Sequence, residues 1–207
     1  MSSSDHINRF RFFGHWLINP RQTAAIAPSS PDLVAVMLAE FPEQTRRVIE
    51  LGGGTGVVTQ AILDSGITAD DLLVIELNAS LHAALDRRFP QAHVLHGNAI
   101  HLAELAQSCG YLEVGPADVV VSSLGLLAMD RATQSVILQS AFDCLRPGGV
   151  FVQFTYGPLS PVTDQVLVGL GISARRGAFV LRNVPPATVW VFTRSRAKAI
   201  TPRTVKR

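Results

Sequence analysis

The sequence predicts an α/β fold: one doubly wound, mostly parallel sheet of seven strands with an antiparallel last strand, preceded by a helical N-terminal extension. Three observations predict it. Val48-Ile49-Glu50-Leu51 runs into Gly52-Gly53-Gly54-Thr55-Gly56 and then into a helical pattern, the strand, turn and helix of a first crossover. Strand-like and helix-like runs then alternate to the end of the chain. The 207 residues, 47% of them apolar, suffice for one well-buried domain and are too few for two.

Taken in order, residues Asp5 to Ile18 read as a helix with Ile7, Phe10, Phe13, Leu17 and Ile18 on one face. Phe12 and Trp16 flank that face, and Asn8, Arg11 and His15 form a narrow polar stripe. Such a helix can lie in a bilayer interface or pack over a cleft as a lid, and both readings stand. Ser29 or Ser30 can begin a helix over Pro31 to Phe41. After the strand at Val48, strands are expected at Asp71 to Asn78, His93 to His96, Ala117 to Ser122, Val150 to Tyr156, Gly177 to Asn183 and Thr188 to Thr193. Helices are expected at Gly56 to Ser65, Ser80 to Arg88, Leu102 to Ser108, Arg131 to Leu145 and Val162 to Gly169. The prolines of Asn183-Val184-Pro185-Pro186-Ala187 set a turn between the last two strands. Arg146-Pro147-Gly148-Gly149 ends one helix and starts a strand.

The chemistry sits at the strand ends. A dinucleotide-binding G-x-G-x-x-G would need glycine where Val57 stands, and it has no place for the acid at Glu50. The match is to E/D-x-G-x-G-x-G, the fingerprint that reads S-adenosylmethionine. That cofactor has no pyrophosphate to cradle; it has an ammonium and two ribose hydroxyls, each suited to a carboxylate. Glu50 supplies the first. Glu76, closing the next strand, supplies the second, and Asn98, after the third strand, faces the adenine amino group. An ordinary strand-to-helix turn is the competing reading of the glycines, and the agreement of three strand ends argues against it.

Composition bounds the rest. No run of about 18 apolar residues occurs, and no basic segment leads into a short apolar core with a cleavage site, so a cytoplasmic protein is expected. Cys109 and Cys144 form neither a disulfide framework nor a zinc spacing. His93 and His96 point to opposite sides of a strand, so no metal is expected despite His101 nearby. The net charge of +2 hides an asymmetry, because no acidic residue follows Asp164 while nine basic ones do. Arg9, Arg11 and Arg21 face Asp5 alone at the other end. Two basic ends favour an anionic partner, a lipid surface or nucleic acid, unless they are solvated tails.

These residues resemble a family. Phe12 to Ser30, including Asn19-Pro20-Arg21-Gln22-Thr23, is similar to the start of bacterial phospholipid N-methyltransferases, soluble enzymes that methylate phosphatidylethanolamine toward phosphatidylcholine. So are Val48 to Thr59, Val121-Ser122-Ser123-Leu124, and Pro147 to Pro158 with its Gln153-Phe154-Thr155-Tyr156-Gly157-Pro158. The resemblance runs nearly to Thr193 and implies a Rossmann-like class I methyltransferase. It implies an N-terminal lid or membrane-binding segment at 1–30, a methyltransferase domain at 31–194 and a basic tail at 195–207.

It also implies a cofactor site for S-adenosylmethionine, leaving as S-adenosylhomocysteine, without a metal. Ile26, Pro28, Ser29 and Ser30 lie near its methionine part, Glu50, Gly52, Gly54, Thr55 and Gly56 in the turn, and Glu76, Leu77, Asn98, Ala99 and Ser122 at the strand ends. Ser122, Ser123 and Tyr156 position the acceptor amine, with satisfied strand-end hydroxyls as the plainer reading of the serines. Arg9, Phe10, Arg11, Phe12, Phe13 and Trp16 bind an anionic membrane, so the expected enzyme sits peripherally on its inner face and binds no nucleic acid. The chain departs from the family at Gly53, where proline is frequent, at Asn98, where aspartate is, and at Gly125, where proline follows Ser-Ser-Leu. Two other functions stay open: an rRNA adenine N6-dimethyltransferase, though Ser122 to Gly125 lacks the aromatic that stacks on a flipped base, and a non-catalytic cofactor-binding protein at the membrane.

Overall fold

A computed structural model describes residues 29–194. The expectations placed on the N-terminal helix, on Ile26 and Pro28 and on the tail from 195 lie outside these residues. Seven strands form one sheet: β1 (Val48–Leu51), β2 (Leu72–Glu76), β3 (His93–His96), β4 (Ala117–Ser122), β5 (Leu145–Tyr156), β6 (Ile172–Val180) and β7 (Ala187–Arg194). Their order is β3-β2-β1-β4-β5-β7-β6. The pairs among β1 to β5 are parallel, and β7 runs antiparallel to both β5 and β6. The expected seven strands and antiparallel last strand are therefore present.

β1 and β2 are buried at every position because helices cover both faces of the sheet, which is why they read as continuous apolar runs instead of alternating ones. On one face Leu33 and Met37 of α1 (Pro31–Ala39), Val58 and Ile62 of α2 (Val57–Asp64) and Leu85 of α3 (Ala79–Arg88) pack on Val48, Leu72, Val74 and Val119. On the other, α4 (Leu102–Ser108), the short α5 (Tyr111–Val114), α6 (Arg131–Cys144) and α7 (Asp164–Leu170) pack on Ile49, Leu73, Val120 and Phe151. The chain leaves β1 toward β2 on one side and reaches β4 on the other. The crevice at the carboxyl ends of β1 and β4 is thus the switch point of the topology, where open α/β sheets bind ligands.

Several boundaries and one short helix differ from expectation, β6 and β5 most of all. β6 spans Ile172–Val180 instead of Gly177 to Asn183, because its register pairs Ile172 with Arg194 and Val180 with Ala187. Ser173 to Arg176 form an exposed polar edge with no apolar alternation to betray a strand, and Leu181 to Pro186 are spent on the turn. β5 starts at Leu145, so Arg146 to Gly149 form an irregular first segment, and the register to β4 shifts between Ala117 and Val119. The helix at Tyr111 has no strong periodic signal in its four residues.

The amino ends of the strands are tied by a polar knot. Arg47 lies 4.1 Å over the Tyr111 ring and donates to the Tyr111 carbonyl at 2.7 Å and to that of Gly115. Its Nε faces Asp71 at 3.2 Å, and the Arg47 side chain is only 11% exposed. The Tyr111 hydroxyl lies 3.1 Å from the carbonyls of Val48 and Asp71. Asp118 accepts from the backbone N–H of Arg46 and Arg47 and from the Arg146 guanidinium. Arg47→Ala removes the cation facing Asp71, which keeps only the Thr68 hydroxyl, and the side-chain donor to two carbonyls, and should lower the unfolding free energy by about 2–4 kcal/mol in urea titrations. The knot lies at the opposite end from the switch point, so cofactor affinity should stay within about twofold.

Candidate functional site

The glycine turn joins β1 to α2 at the switch point. Gly52 N–H continues the ladder by donating to the Ile75 carbonyl at 2.8 Å, and Gly56 caps α2 with φ +80°. At Gly54, φ is +54°, and a Cβ there would meet nothing nearer than the Gly52 carbonyl at 3.9 Å. The backbone is bent left-handed and bare toward the crevice, as close approach of a ligand requires. Gly53 is different. A Cβ there would stand 2.6 Å from Val74 Cγ1 and 2.8 Å from Leu85 Cδ1, so the family's proline has no room in this packing and glycine is the residue that fits.

Glu76 binds the turn to the next strand end. One carboxylate oxygen accepts from Gly54 N–H at 2.9 Å and the other from Asn78 N–H at 2.7 Å. Each oxygen keeps a second lone pair, the acceptor a ribose hydroxyl needs. Leu77 beside it is 64% exposed, an apolar surface for an adenine face, and its carbonyl lies 2.9 Å from His96 Nε2. Asn98 Oδ1 accepts from Ile100 N–H at 3.1 Å, capping the turn Ala99–His101. Its carbonyl thus has a structural duty beside the adenine contact read from sequence, and Ala99 is buried next to it.

Glu50 is fully buried and accepts from the Thr59 hydroxyl at 2.6 Å through Oε2. Its Oε1 has no partner among the described residues. Burial, opposed by the Thr59 hydrogen bond and reinforced by the Glu76 charge, pushes the carboxyl up to about 8. The orphaned oxygen is the observation that fits the cofactor's ammonium: a cation there would satisfy it and ionise Glu50.

The side that the resemblance assigns to the acceptor is built from β4 and β5. Ser122 is buried, its hydroxyl accepts from Leu124 N–H at 3.2 Å, and Ser123 N–H donates to the Leu51 carbonyl at 2.9 Å. Gln153, paired with Ser122 in register, donates to the Leu124 carbonyl at 2.9 Å and the Phe154 carbonyl at 2.5 Å. Leu124 Cδ2 in turn would stand 3.2 Å from a Cβ on Gly52, so the acceptor strand end packs on the cofactor turn. Tyr156 sets its ring edge-on to Phe154 at 5.6 Å, and burial pushes its hydroxyl pKa up, so it stays a neutral hydroxyl and offers an aromatic face more than a base. Ser30 caps α1 through Leu33 N–H at 3.2 Å, and its own N–H donates to Asn183 Oδ1 at 3.0 Å; Ser29 precedes it and is half-buried.

The structure thus brings together Glu50, Gly52, Gly54, Gly56, Glu76 and Ser122 around one crevice, with Thr55 in the same turn and Leu77 and Asn98 at the adjoining strand ends. Thr59, His96, Gln153 and Asn183 were not foreseen from sequence. Gln153 carried a signal, a polar residue inside the apolar run Val150 to Phe154, and Thr59 a weaker one, a hydroxyl on the buried face of α2. Among the described residues no cluster of three or more metal-ligating side chains occurs, and no helix is long and apolar enough to cross a membrane.

Two predictions follow from the buried acids. Glu76→Gln keeps the shape but loses the charge and one of two acceptors. By isothermal calorimetry its S-adenosylmethionine affinity should fall about 10- to 150-fold, the worth of one charge-assisted hydrogen bond. For Glu50 the sign is set by a native carboxyl raised from 4.5 to about 8. Its contribution to stability without ligand is complete below pH 4.5 and is lost as pH rises through 8. A bound cation expels the same proton, so cofactor affinity should rise with pH up to about 8, with proton release seen across buffers of different ionisation heat. Glu50→Gln should flatten both slopes; an unchanged pH profile would refute the assignment.

Comparison with known proteins places this geometry. The chain is 31% identical over 153 residues to the ornithine lipid N-methyltransferase of Singulisphaera acidiphila, covering 72% of this chain and 78% of that one. It is 32% identical over 100 residues to the ribosomal RNA small subunit methyltransferase A of Synechococcus sp., but that match covers 45% of this chain and 32% of the other. No family model matches the chain. Among solved structures, the CcbJ methyltransferase from Streptomyces caelestis is similar at a TM-score of 0.62 and 16% identity, over 87% of this chain and 96% of that one. The glycopeptide N-methyltransferase MtfA complexed with S-adenosylmethionine is similar at 0.59 and 16%, over 78% and 92%. These two show the class I methyltransferase fold, and the ornithine lipid enzyme shows the family: the chain belongs to the bacterial S-adenosylmethionine-dependent lipid N-methyltransferases.

Proposed function

We propose that this enzyme methylates the amine of a membrane lipid headgroup, that of phosphatidylethanolamine and its methylated intermediates toward phosphatidylcholine, working peripherally at the inner surface of the cytoplasmic membrane. The observation that carries the lipid acceptor is the likeness to the ornithine lipid enzyme over 72% of the chain. The phosphatidylethanolamine headgroup is supported by the Asn19 to Thr23 and Gln153 to Pro158 segments. Ornithine lipid is the second reading, favoured by the same relative. Both lipids present a primary amine, and they differ in the group beside it.

The bound cofactor supplies a methyl already activated by a sulfonium, so the protein's work is alignment and exclusion of water. Glu50 and the turn from Gly52 to Gly56 hold the methionine end, and Glu76 holds the ribose. Gln153 fixes the Leu124 carbonyl, and with it the Ser122 to Gly125 strand end, at one position beside the turn. Carbonyls and hydroxyls there accept from the acceptor's N–H groups and orient its lone pair. The amine must arrive neutral, and since Tyr156 stays protonated, its proton leaves to water. The Tyr156 ring offers a face to a methylated, permanently cationic headgroup.

Purified full-length enzyme with methyl-labelled S-adenosylmethionine should label the lipid extract of vesicles containing phosphatidylethanolamine. Parallel arms with ornithine lipid vesicles and with ribosomal RNA identify the acceptor: label in ornithine lipid alone moves the headgroup assignment, and label in RNA alone overturns the lipid reading.

A further inference from the structure

The end of the sheet that carries the site also carries an apolar tip. Ser122 lies in register with Gln153 of β5, Trp190 of β7 and Arg176 of β6. Tyr156, Ala187 and Val180 form the last register row, three residues further on and so about 10 Å beyond the acceptor strand end. The β6–β7 turn, 181–186, stands beyond that row. Leu181 is 72% exposed and Val184 81%, with Leu159 and Phe179 exposed beside them.

This tip is held outward by buried polar braces. Asn183, only 3% exposed, donates to the Pro185 carbonyl at 2.7 Å inside the turn and accepts from Ser30 N–H. Gly157 N–H donates to the Pro186 carbonyl at 3.0 Å, and the Thr188 hydroxyl to the Gly157 carbonyl at 2.6 Å, pinning the segment before Leu159 to the same turn. The surroundings are cationic. From Gln165 to Arg194 there are four arginines and no carboxylate. Arg175 pairs with Glu40 and Arg194 with Asp143, while exposed Arg176 and Arg182 make no ion pair among the described residues.

We propose that the β6–β7 turn docks the enzyme on an anionic phospholipid bilayer, with Leu181 and Val184 as its wedge and Arg182 among the headgroup phosphates. The proposal rests on the lipid N-methyltransferase reading and adds a docking element of its own. Apolar side chains on a rigid tip with arginines beside them match an interface where groups penetrate roughly 5–10 Å past anionic headgroups. A nucleic acid would use the arginines and leave Leu181 and Val184 in water. With the tip inserted, the acceptor strand end comes to lie at the membrane surface, where a headgroup can reach it.

The test uses the full chain and vesicles of phosphatidylglycerol with phosphatidylethanolamine, against vesicles of phosphatidylcholine alone. Leu181→Asp with Val184→Asp should lower partition onto the anionic vesicles about tenfold or more, and lower vesicle methylation in parallel. Methylation of the same lipid dispersed in detergent micelles, and calorimetric S-adenosylmethionine binding, should stay within about twofold, since the changed residues lie outside the site. Leu181→Trp should strengthen partition severalfold, a gain that misfolding cannot imitate. Unchanged partition for either variant overturns the proposal, as does a wild-type dimer in sedimentation that the double Asp variant dissolves. Failure of the wild type to methylate micellar lipid overturns the function reading instead, whatever the partition shows.

Discussion

One carboxylate holds the cofactor end of this sheet in place. Glu76 closes β2 and takes a hydrogen bond from Gly54, in the turn after β1, and another from Asn78, at the start of α3. A left-handed glycine turn has no side chains of its own to fix it, so an external acceptor is what keeps Gly54 N–H from wandering. Asn78, positioned by the same carboxylate, accepts from Ser80 N–H and Leu81 N–H and so starts α3. α3 then brings Leu85 against Gly53, closing a loop of contacts from β2 back to the turn. Remove the charge at Glu76 and the turn and the helix start loosen together.

The acceptor end is coupled to this arrangement by packing. Leu124 lies against the bare α-carbon of Gly52, and its carbonyl is gripped by Gln153 from the neighbouring strand. A shift of the cofactor turn therefore moves the groups that would orient the amine. This matters for methyl transfer, in which a misplacement of about 1 Å costs orders of magnitude in rate. Gly125, where the family resemblance implies proline, begins the short turn Leu126–Ala128, and Gln134 of α6 donates to the Leu126 carbonyl at 2.8 Å. The rigidity a proline would give to the chain here is supplied instead from two sides, by the amides of Gln153 and Gln134.

What the sequence revealed and what it concealed divide along physical lines. The glycine turn, Glu50, Glu76 and Asn98 were legible because strand ends recur at fixed topological places and the ligand's chemistry names the residue types. The central strands were legible because burial on two faces leaves continuous apolar runs. β6 was misplaced because an edge strand with one solvated side needs no apolar alternation, and Ser173 to Arg176 show none. Thr59 and Gln153 stood out only as polar residues on buried faces: the partners they satisfy, Glu50 in β1 and the Leu124 carbonyl after β4, belong to other elements, and neither spacing nor periodicity encodes which group that is. The role of Ser30 was legible as a helix cap, but its tie to Asn183 spans 153 positions and follows only from the closed sheet.

Two buried acids on adjacent strands raise an electrostatic problem that the site solves through its ligand. Glu50 pairs with Val74 in register, so Glu76 lies two residues further along the neighbouring strand, and each negative charge disfavours the other. Glu76 accepts from two backbone donors, Gly54 N–H and Asn78 N–H. Glu50 has only the Thr59 hydroxyl and no solvent, and without a cation it holds its proton. The asymmetry separates the two: Glu76 builds the turn, while Glu50 is a neutral acid that would become an anion if a positive group met its unpartnered oxygen. Methyl transfer removes the sulfonium charge and leaves the ammonium, so an ammonium held at Glu50 would stay held through the reaction. Discrimination between cofactor and product must then come from the sulfonium side of the crevice, near Ser122 and Leu124, the same place where the acceptor amine is received.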